Sequence, residues 1–335
     1  MNIRSQNEEA LLNRIRRAAQ GTIESSRPRT FSLGVGDDAA LFRPTTGHET
    51  ILTCDWFLEG AHFLRQKHPA DAVGWKCLAR ALSDVAAMGG TPRCFLLSLA
   101  LPASHTGRWL NRFLGGLRRA SRKFQCPLAG GDTTRNQKIL INVTVIGEIP
   151  AGRAALRSGA RPGDILYVSG RLGEAELGLR VLKESRRTMR GSDRRLRKHL
   201  YPEPHLVLGQ WLTKNRAVTA MLDISDGLSS DLPRLCAASR VGARVHSARV
   251  PLLLISEADR RRGFDPLQLA LQGGDDYELL FTVSRRSMTR IPKSFQGVRL
   301  TAIGEITRDP KVLLHREDGS EQLLVPSGWD PFRQV

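Results

Sequence analysis

The spacing of hydrophobic and polar residues divides the chain into short strands and helices. Residues 49–57, ETILTCDWF, and residues 139–149, ILINVTVIGEI, alternate in character as half-buried strands do. Residues 69–90 instead place apolar side chains at helical spacing and end on glycine, which predicts a long helix. The elements predicted for the first half are a helix over 7–20, a strand over 49–57, a helix over 69–90, a strand over 95–101, a helix over about 107–124, a short strand leading into 128–135 and a strand over 139–149.

The second half continues this mixture of helices and strands. Its predicted elements are strands over 164–170, 218–224 and 277–283, a loop entering a helix over 170–179, and helices over 205–215 and 225–240. Between the halves, residues 150–164 are rich in turn formers and basic residues, which indicates a domain boundary. The sequence therefore predicts an α/β (α+β) protein of two domains, 1–150 and 151–335.

A net charge of +18 at neutral pH is the main oddity of the composition. The basic residues are densest at 180–199 and 118–123, both with helical periodicity and few interleaved aromatic side chains. Base stacking needs such aromatics, so the pattern favours a solvated basic face over a nucleic-acid surface.

The sequence shows the pattern of neither a membrane protein nor a secreted one. The longest apolar run, at 94–103, is too short to span a bilayer, and the first 20 residues lack the apolar core of a secretory signal. The five cysteines are scattered and form no CxxC pair, which is typical of reduced thiols rather than of a disulfide framework or a zinc site. We therefore expect a cytoplasmic protein without a membrane partner.

Aspartates gather where predicted strands end and predicted helices begin, often beside glycine. In residues 33–42, LGVGDDAALF, a glycine pattern typical of phosphate binding is followed at once by two carboxylates, which would repel a phosphate. Short, stiff carboxylates of this kind hold hard cations through oxygen ligands. The aspartates at such junctions are Asp37, Asp38, Asp55, Asp132, Asp223, Asp226, Asp275 and Asp276, and a further candidate, Asp84, lies within LSDVAAMGG.

A structural explanation competes at each of these positions, because Asp commonly caps helices and shapes turns beside glycine. Asp226 and Asp231 fit such roles, as a helix cap and a surface residue. Asp84 fits less well, since it lies inside a helical pattern between apolar residues, where an unpaired carboxylate is costly to bury. Asp84 is therefore expected to meet a metal or another cation. Other templates fail, since the chain has no GxxxxGK[ST] loop, no GxSxG elbow and no HExxH motif.

Seven motifs follow one another along nearly the whole chain, from Gly34 to about Trp329. They are GVGDDAALF, LTCDWFLEGAHF, ARALSDVAAMGGTPR, LAGGDTTR, GRAALRSGARPGD, DISDGLSSDL and GGDDYELLFT. In this order and spacing they resemble the thiamine-monophosphate kinase family, within the superfamily that also contains aminoimidazole ribonucleotide synthetase.

The resemblance implies a fold and an activity. The fold is two mixed-sheet α/β domains of the aminoimidazole ribonucleotide synthetase type, with the N-terminal domains pairing into the barrel of a homodimer. The activity is transfer of the γ-phosphate of ATP to thiamine monophosphate, with several Mg²⁺ ions as cofactors. Such ions would remove the repulsion at 33–42, because they reverse the sign of the charge that carboxylates present to phosphate.

The resemblance also assigns roles to residues of this chain. The implied metal ligands are Asp38, Thr53, Cys54, Asp55, Asp84, Asp132, Asp223 and Asp226. The implied nucleotide contacts are Gly131, Asp132, Arg157 and Ser225. The implied contacts of thiamine phosphate are His62, Asp275 and Trp329. Asp84, Asp132 and Arg157 would carry catalysis, the aspartates by binding metal and the arginine as a fixed cation.

Three positions depart from the family's pattern. Cys54 stands where Thr is usual, Asp275 where Glu is usual, and Ala81 where Asn is frequent. None of them removes a metal carboxylate, but they leave room for an altered substrate. The alternatives are therefore another ATP-using member of the superfamily, such as an aminoimidazole ribonucleotide synthetase-like or selenophosphate synthetase-like enzyme, and a non-catalytic basic protein that binds nucleic acid. The second of these enzymes needs a reactive Cys before Gly34, which the chain lacks.

Overall fold

The computed structural model describes residues 13–15, 17, 31–33, 39–185 and 193–332. These residues form two compact units. Those of the N-terminal unit lie within Met1–Val85, Thr91–Gly152 and Ser185–Gly191. Those of the C-terminal unit lie within Ala86–Gly90, Arg153–Glu184 and Ser192–Val335. Each unit has its own mixed β-sheet, which confirms the predicted fold class.

Strands and helices alternate along most of the described chain. The strands are β1 (Phe31–Leu33), β2 (Leu41–Phe42), β3 (His48–Leu58), β4 (Thr91–Leu101), β5 (Leu128–Arg135), β6 (Leu140–Pro150), β7 (Ile165–Ser169), β8 (Ala220–Ile224), β9 (Gly242–His246), β10 (Glu278–Val283), β11 (Ser294–Phe295), β12 (Val298–Thr307), β13 (Val312–His315) and β14 (Glu321–Leu323). The α-helices are α1 (Ala70–Ala87), α2 (Arg108–Phe124), α3 (Glu174–Glu184), α4 (Arg197–Leu200), α5 (Leu206–Lys214), α6 (Leu228–Ser239), α7 (Glu257–Arg261) and α8 (Pro266–Gln272).

The sheet of the N-terminal unit has the strand order β3-β6-β4-β5, in which β4 and β5 run parallel and the other pairs antiparallel. Along β3, Ile51 and Phe57 are buried on one face, whereas Leu52 and Trp56 are exposed on the other. Arg80 of α1 lies over the Phe57 ring, 5.4 Å from its centre. The odd-numbered residues of β3 therefore face α1, and the even-numbered residues face away from it.

Helices α1 and α2 approach each other backbone to backbone at two glycines. A Cβ on Gly74 would lie 2.0 Å from the carbonyl oxygen of Phe113, and a Cβ on Gly116 would lie 1.8 Å from that of Asp71. Both distances are far below van der Waals contact. Neither position therefore admits a side chain unless the helices move apart.

The sheet of the C-terminal unit has the order β14-β13-β9-β12-β7-β10-β8, with β11 paired to β12. Its neighbours are antiparallel except for β9 and β13. Leu222 and Ile224 of β8 enter an apolar core with Leu228 and Leu232 of α6. The short turn between β8 and α6 is therefore anchored in the core at both ends.

The predicted elements agree with the observed ones within a few residues, with two differences. The prediction for 128–135 is wrong in that the whole stretch is strand β5, because it pairs in parallel with β4 despite its glycines. The basic stretch 180–199 is not one helix, since α3 ends at Glu184 and α4 begins at Arg197. Of the predicted helix over 7–20, residues 13–15 and 17 are helical and the rest lie outside the described residues.

Replacing Gly116 with Ala is expected to lower the free energy of unfolding by roughly 1–3 kcal/mol, the usual cost of an overpacked contact. Gly115 is the matched control, because a Cβ there meets no atom within 4 Å. Gly115→Ala should raise the free energy of unfolding by up to about 1 kcal/mol, the ordinary gain in helix propensity. Equilibrium urea unfolding measures both effects, and equal changes in the two variants would contradict the close approach of α1 and α2.

Candidate functional site

Two contacts between β3 and α1 bring together residues predicted to bind metal. The Thr53 hydroxyl donates a hydrogen bond to the Asp84 carboxylate, and the Arg80 guanidinium lies 3.7 Å from Asp55. The contacts are neighbours because two residues along a strand span about the same distance as one turn of a helix. Thr53, Asp55 and Asp84 therefore form an oxygen-rich, half-buried group beside a fixed cation.

Cys54 and Asp132 lie on the opposite face of the same sheet. Cys54 alternates with Thr53 along β3, and the Asn142 amide donates a hydrogen bond to its sulfur at 3.1 Å. Asp132 of β5 pairs with Ser98 of β4, which pairs with Asn142 of β6, so these three side chains share one face. Among the described metal ligands predicted for this unit, Thr53, Asp55 and Asp84 thus lie on the α1 side of the sheet, and Cys54 and Asp132 lie on the other side.

The backbone before Asp132 is packed too closely for any residue but glycine. A Cβ on Gly131 would lie 1.9 Å from the carbonyl oxygen of Leu97 on β4. The Asp132 carboxylate is exposed and accepts a hydrogen bond from the Thr133 amide at 2.9 Å. Gly131 therefore lets β5 pair with β4 while Asp132 projects to solvent.

His62 follows the end of β3, and Asp38 lies outside the described residues. The Leu58 amide donates a hydrogen bond to His62 Nδ1 at 3.0 Å. An acceptor role for Nδ1 places the proton of the neutral imidazole on Nε2. His62 thus presents a hydrogen-bond donor on the ring edge away from the strand.

In the C-terminal unit, the turn between β8 and α6 joins residues that are far apart in the sequence. The Ser225 carbonyl accepts a hydrogen bond from the Asp275 amide at 2.8 Å, and the Asp226 carbonyl accepts one from the Trp329 amide at 3.0 Å. Gly328 lies so close to the turn that a Cβ would be 1.8 Å from the Asp226 carbonyl oxygen. Predicted contacts of nucleotide, metal and thiamine phosphate therefore meet at this turn.

Asp231, in the first turn of α6, fixes the backbone of that turn. Its Oδ2 accepts hydrogen bonds from the amides of Ser225 and Asp226, at 3.0 and 2.9 Å. Asp231 is 2% exposed, and this burial raises its pKa to about 6. The interpretation of Asp231 as a surface residue is wrong, and the cap of α6 is Gly227 rather than Asp226. The Asp226 carboxylate instead accepts a hydrogen bond from Arg234.

Asp275 lies in a strained loop. Asp275 and Tyr277 both have positive φ, +68° and +51°, in a region that costs a non-glycine residue about 1–3 kcal/mol. The Tyr277 hydroxyl donates a hydrogen bond to Asp275 Oδ1 at 2.6 Å, and His199 Nδ1 lies 3.7 Å from Oδ2. The carboxylate is thus oriented from two sides, by its own loop and by α4.

Two buried carboxylates next to this loop support the surrounding fold. Asp276 accepts hydrogen bonds from the amides of Gly173 and Ala175, at 2.6 and 3.1 Å, and so caps α3. Glu278 is buried in contact with Lys198 and His205. Burial alone would raise the pKa of Glu278, but its contacts with Lys198 and His205 lower it well below its ordinary value. Sequence reasoning missed the part that Glu278 and Lys198 play.

Arg157 is exposed and lies at the other end of α6 from the turn. The Ser239 hydroxyl, at the C-terminus of α6, donates a hydrogen bond to the Arg157 carbonyl at 2.9 Å. The length of α6 places roughly 17 Å between its ends, at about 1.5 Å per residue. The backbone of Arg157 therefore does not join Ser225 and Asp226 within this unit, and its contact with a nucleotide phosphate stays a prediction.

The described side chains that are predicted to bind metal offer mainly oxygen ligands, which suit a hard cation. Asp223 is buried in β8, two positions before Ser225, on the face opposite the core residues Leu222 and Ile224. Within the described ranges, no three His, Cys, Asp or Glu side chains come together as a metal site. Mg²⁺ in phosphate-transferring sites is commonly bound by one or two carboxylates, with water and substrate phosphates as the other ligands. Carboxylates supported by hydroxyls and amides suit that mode.

The chain matches two sequence families. Residues 36–149 match the family described as AIR synthase related protein, N-terminal domain. Residues 161–315 match AIR synthase related protein, C-terminal domain. Together the two matches cover most of the chain and follow its two structural units.

Individual relatives match over nearly their full length. The thiamine-monophosphate kinase of Escherichia coli (strain K12) is 37% identical over 317 residues, covering 92% of this chain and 94% of the relative. The crystal structure of a thiamine-monophosphate kinase from Stenotrophomonas maltophilia K279a is 35% identical, with a TM-score of 0.78, and the match covers 94% of this chain and 97% of that chain. A structure of AaThiL complexed with AMPPCP and TMP is 31% identical, with a TM-score of 0.75, and the match covers 99% of each chain.

The buried carboxyl of Asp276 is expected to make stability depend on pH. Burial raises its pKa to about 7. Between about pH 4 and this value the folded chain keeps a proton that the unfolded chain has released, so the free energy of unfolding falls as pH rises. Urea unfolding at several pH values should show a weaker fall in Asp276→Asn than in the parent chain.

Asp265→Asn is the control for this measurement, because it removes an exposed carboxylate that caps α8. It should leave the pH dependence of the parent chain in place. If Asp276→Asn retains the same fall in stability as the parent chain, the raised pKa of Asp276 is refuted.

Proposed function

Because the chain belongs to the thiamine-monophosphate kinase family, we propose that it transfers the γ-phosphate of ATP to thiamine monophosphate, giving thiamine diphosphate and ADP. The observation that carries the proposal is the similarity, over 99% of both chains, to AaThiL complexed with AMPPCP, an analogue of ATP, and TMP. The described geometry supports it, since Ser225, Asp226, Asp275 and Trp329 meet at the turn between β8 and α6.

The reaction brings two polyanions together, and the residues proposed to bind them include many carboxylates. Mg²⁺ bound with ATP would neutralise charge on the phosphates and shield them from these side chains. In the N-terminal unit, Thr53 orients Asp84 and Arg80 lies beside Asp55. In the C-terminal unit, Asp226 offers its carboxylate from a turn whose backbone is fixed. The proposed oxygen ligands are Asp38, Thr53, Asp55, Asp84, Asp132, Asp223 and Asp226.

The protein's own part in the transfer is to position the reactants. The attacking phosphate oxygen of thiamine monophosphate is already anionic, so in-line displacement requires no strong general base. Holding donor and acceptor in line removes much of the entropic barrier. We assign Gly131, Asp132, Arg157 and Ser225 to the nucleotide, with Arg157 as a fixed cation. We assign His62, Asp275 and Trp329 to thiamine phosphate.

Three of the described basic residues in 180–199 do not favour the nucleic-acid alternative. Arg180 is paired with Glu176 at 2.7 Å, and Lys198 with Glu278. Arg195 is paired with both Asp193 and Asp259. These cations hold their own unit together through acidic partners, whereas a nucleic-acid surface presents its cations to phosphate.

We propose that the chain forms a homodimer through the exposed face of the N-terminal sheet. On β3, Leu52 and Trp56 are 70% and 54% exposed on the face that α1 leaves uncovered. Leu52 pairs with Ile146 of β6, which lies on the same face. Large apolar side chains side by side on one sheet face are typical of a protein interface.

We propose a cytoplasmic location. None of the five cysteines forms a disulfide, as expected in a reducing compartment. Among the described residues, no helix combines the length and apolarity needed to cross a bilayer.

The test of the activity is a phosphoryl-transfer assay with purified protein, ATP and Mg²⁺. Thiamine monophosphate, thiamine and an aminoimidazole precursor are offered separately, and the products are separated. We expect thiamine diphosphate from the monophosphate alone. Product from the aminoimidazole precursor would favour the other ATP-using enzymes of the superfamily, and no product from any substrate would reject the proposed activity.

Asp84→Asn is expected to lower kcat by roughly 100-fold or more, because the amide keeps the shape of the carboxylate but loses its charge toward a cation. Circular dichroism and thermal melting should show an intact fold. Asp71→Asn is the matched control on the same helix, since Asp71 is paired with Arg119. Its activity should stay near that of the parent chain, and equal losses in both variants would remove Asp84 from the metal ligands.

Leu52→Glu is expected to convert the dimer to a monomer, because a charge would be buried in an apolar interface. Sedimentation velocity measures the change in mass. Leu254→Glu is the control, since Leu254 is equally apolar and 76% exposed in the C-terminal unit. A monomeric parent chain, or a Leu52→Glu variant that remains dimeric, would contradict the proposed interface.

A further inference from the structure

One arginine, Arg234, donates hydrogen bonds to two carboxylates at the turn between β8 and α6. Arg234 Nη1 is 2.5 Å from Asp226 Oδ2 and 2.7 Å from Asp231 Oδ1. Arg234 comes from the second turn of α6, so its guanidinium reaches back over the start of its own helix. A single nitrogen thus bridges Asp231, which fixes the backbone of the turn, and Asp226, which is predicted to bind metal.

The two carboxylates differ in what they are able to bind. The side chain of Asp231 is 3% exposed, and its oxygens are occupied by Arg234 and by the amides of Ser225 and Asp226. The side chain of Asp226 is 23% exposed, and its backbone is held through both its amide and its carbonyl. Asp226 therefore presents a carboxylate to solvent from a fixed backbone, and Asp231 does not.

The guanidinium lies where a cation bound to Asp226 Oδ2 would lie. A divalent cation and a guanidinium repel each other at contact distance, so binding both at one carboxylate oxygen is unfavourable. Without any cation, Asp226 and Asp231 would repel each other across the turn. Arg234 thus occupies a position that the proposed function assigns to a metal ion.

We propose that Arg234 is an internal counter-cation that competes with Mg²⁺ for Asp226. In the cation-free chain it balances both carboxylates and keeps the turn in shape. When Mg²⁺ binds to Asp226, Arg234 withdraws to Asp231 alone, to which it remains bound. This inference rests on the proposed function, because it concerns how the proposed site takes up its metal. Arg234 acts on the metal through Asp226 and is therefore a positioning residue.

A purely structural role for Arg234 predicts the opposite result when the charge is removed. If Arg234 only shaped the turn, its loss would disorder Asp226 and weaken the binding of Mg²⁺. If Arg234 competes for Asp226, its loss leaves two carboxylates without their internal cation and strengthens the binding. The direction of the change in affinity separates the two roles.

Isothermal titration of Mg²⁺ into the full chain without nucleotide is the test. In Arg234→Gln we expect the Kd for Mg²⁺ to fall by about fivefold or more, as removal of a unit charge near the bound ion requires. Arg234→Lys keeps the charge and should stay within about twofold of the parent chain. Arg119→Gln is the matched control, because it removes an arginine paired with one carboxylate, Asp71, at 2.7 Å. An unchanged or raised Kd in Arg234→Gln would overturn the proposal.

Two further variants tie the effect to the turn. The gain in affinity should disappear when Arg234→Gln is combined with Asp226→Asn, and a gain that persists would overturn the proposal. Arg234→Met, of similar length and without charge, is the second variant if the first fails to fold. The phosphoryl-transfer assay of the parent chain decides the proposed function separately. Thiamine diphosphate formation with an unchanged Kd in Arg234→Gln overturns the counter-cation alone, and a tighter Kd without thiamine diphosphate overturns the activity alone.

Discussion

The turn between β8 and α6 depends on two hydrogen bonds, from the amides of Ser225 and Asp226 to the carboxylate of Asp231. A buried amide without an acceptor costs about 1–3 kcal/mol, so these bonds select one conformation of the turn. The carbonyls of the same two residues then accept the amides of Asp275 and Trp329. One buried acid thereby sets the positions of three segments that the sequence places far apart.

Part of the positive charge of the chain is used inside its own units. Arg80 lies beside Asp55, and Arg234 bridges Asp226 and Asp231. Each pair places a cation next to a carboxylate that would otherwise repel its neighbours or an approaching phosphate. Arg80 and Arg234 therefore have a structural explanation at these positions. The excess of Lys and Arg, considered from composition alone, is equally typical of a protein that binds nucleic acid.

The local spacing of apolar residues predicted the helices and strands that bury one face. It did not reveal the contacts between residues that are far apart in the sequence. The alternation of β3 and the helical spacing of α1 follow from burial, and both elements were found from the sequence. Strand β5 was missed in part because its pairing with β4 is a contact between distant segments, while glycines favour a turn locally. Asp231 was interpreted as a surface residue because the neighbouring sequence does not show that its carboxylate accepts hydrogen bonds from the amides of Ser225 and Asp226. Glu278 gave one usable signal, since it begins a strand that is buried on both faces.

Two of the three departures of this chain from its family's pattern, Cys54 and Asp275, have different consequences. Residue 54 lies on the face of the sheet that is turned away from Asp84. A hydroxyl at this position would therefore not join the contact that Thr53 makes with Asp84. Cys54 instead packs against Asn142 on the other face, and its replacement of Thr leaves the carboxylates near α1 untouched. At position 275, the shorter Asp draws the carboxylate back by one methylene toward the hydroxyl of Tyr277, which it meets at 2.6 Å. A change in substrate preference is therefore expected to arise from Asp275 and its strained loop rather than from Cys54.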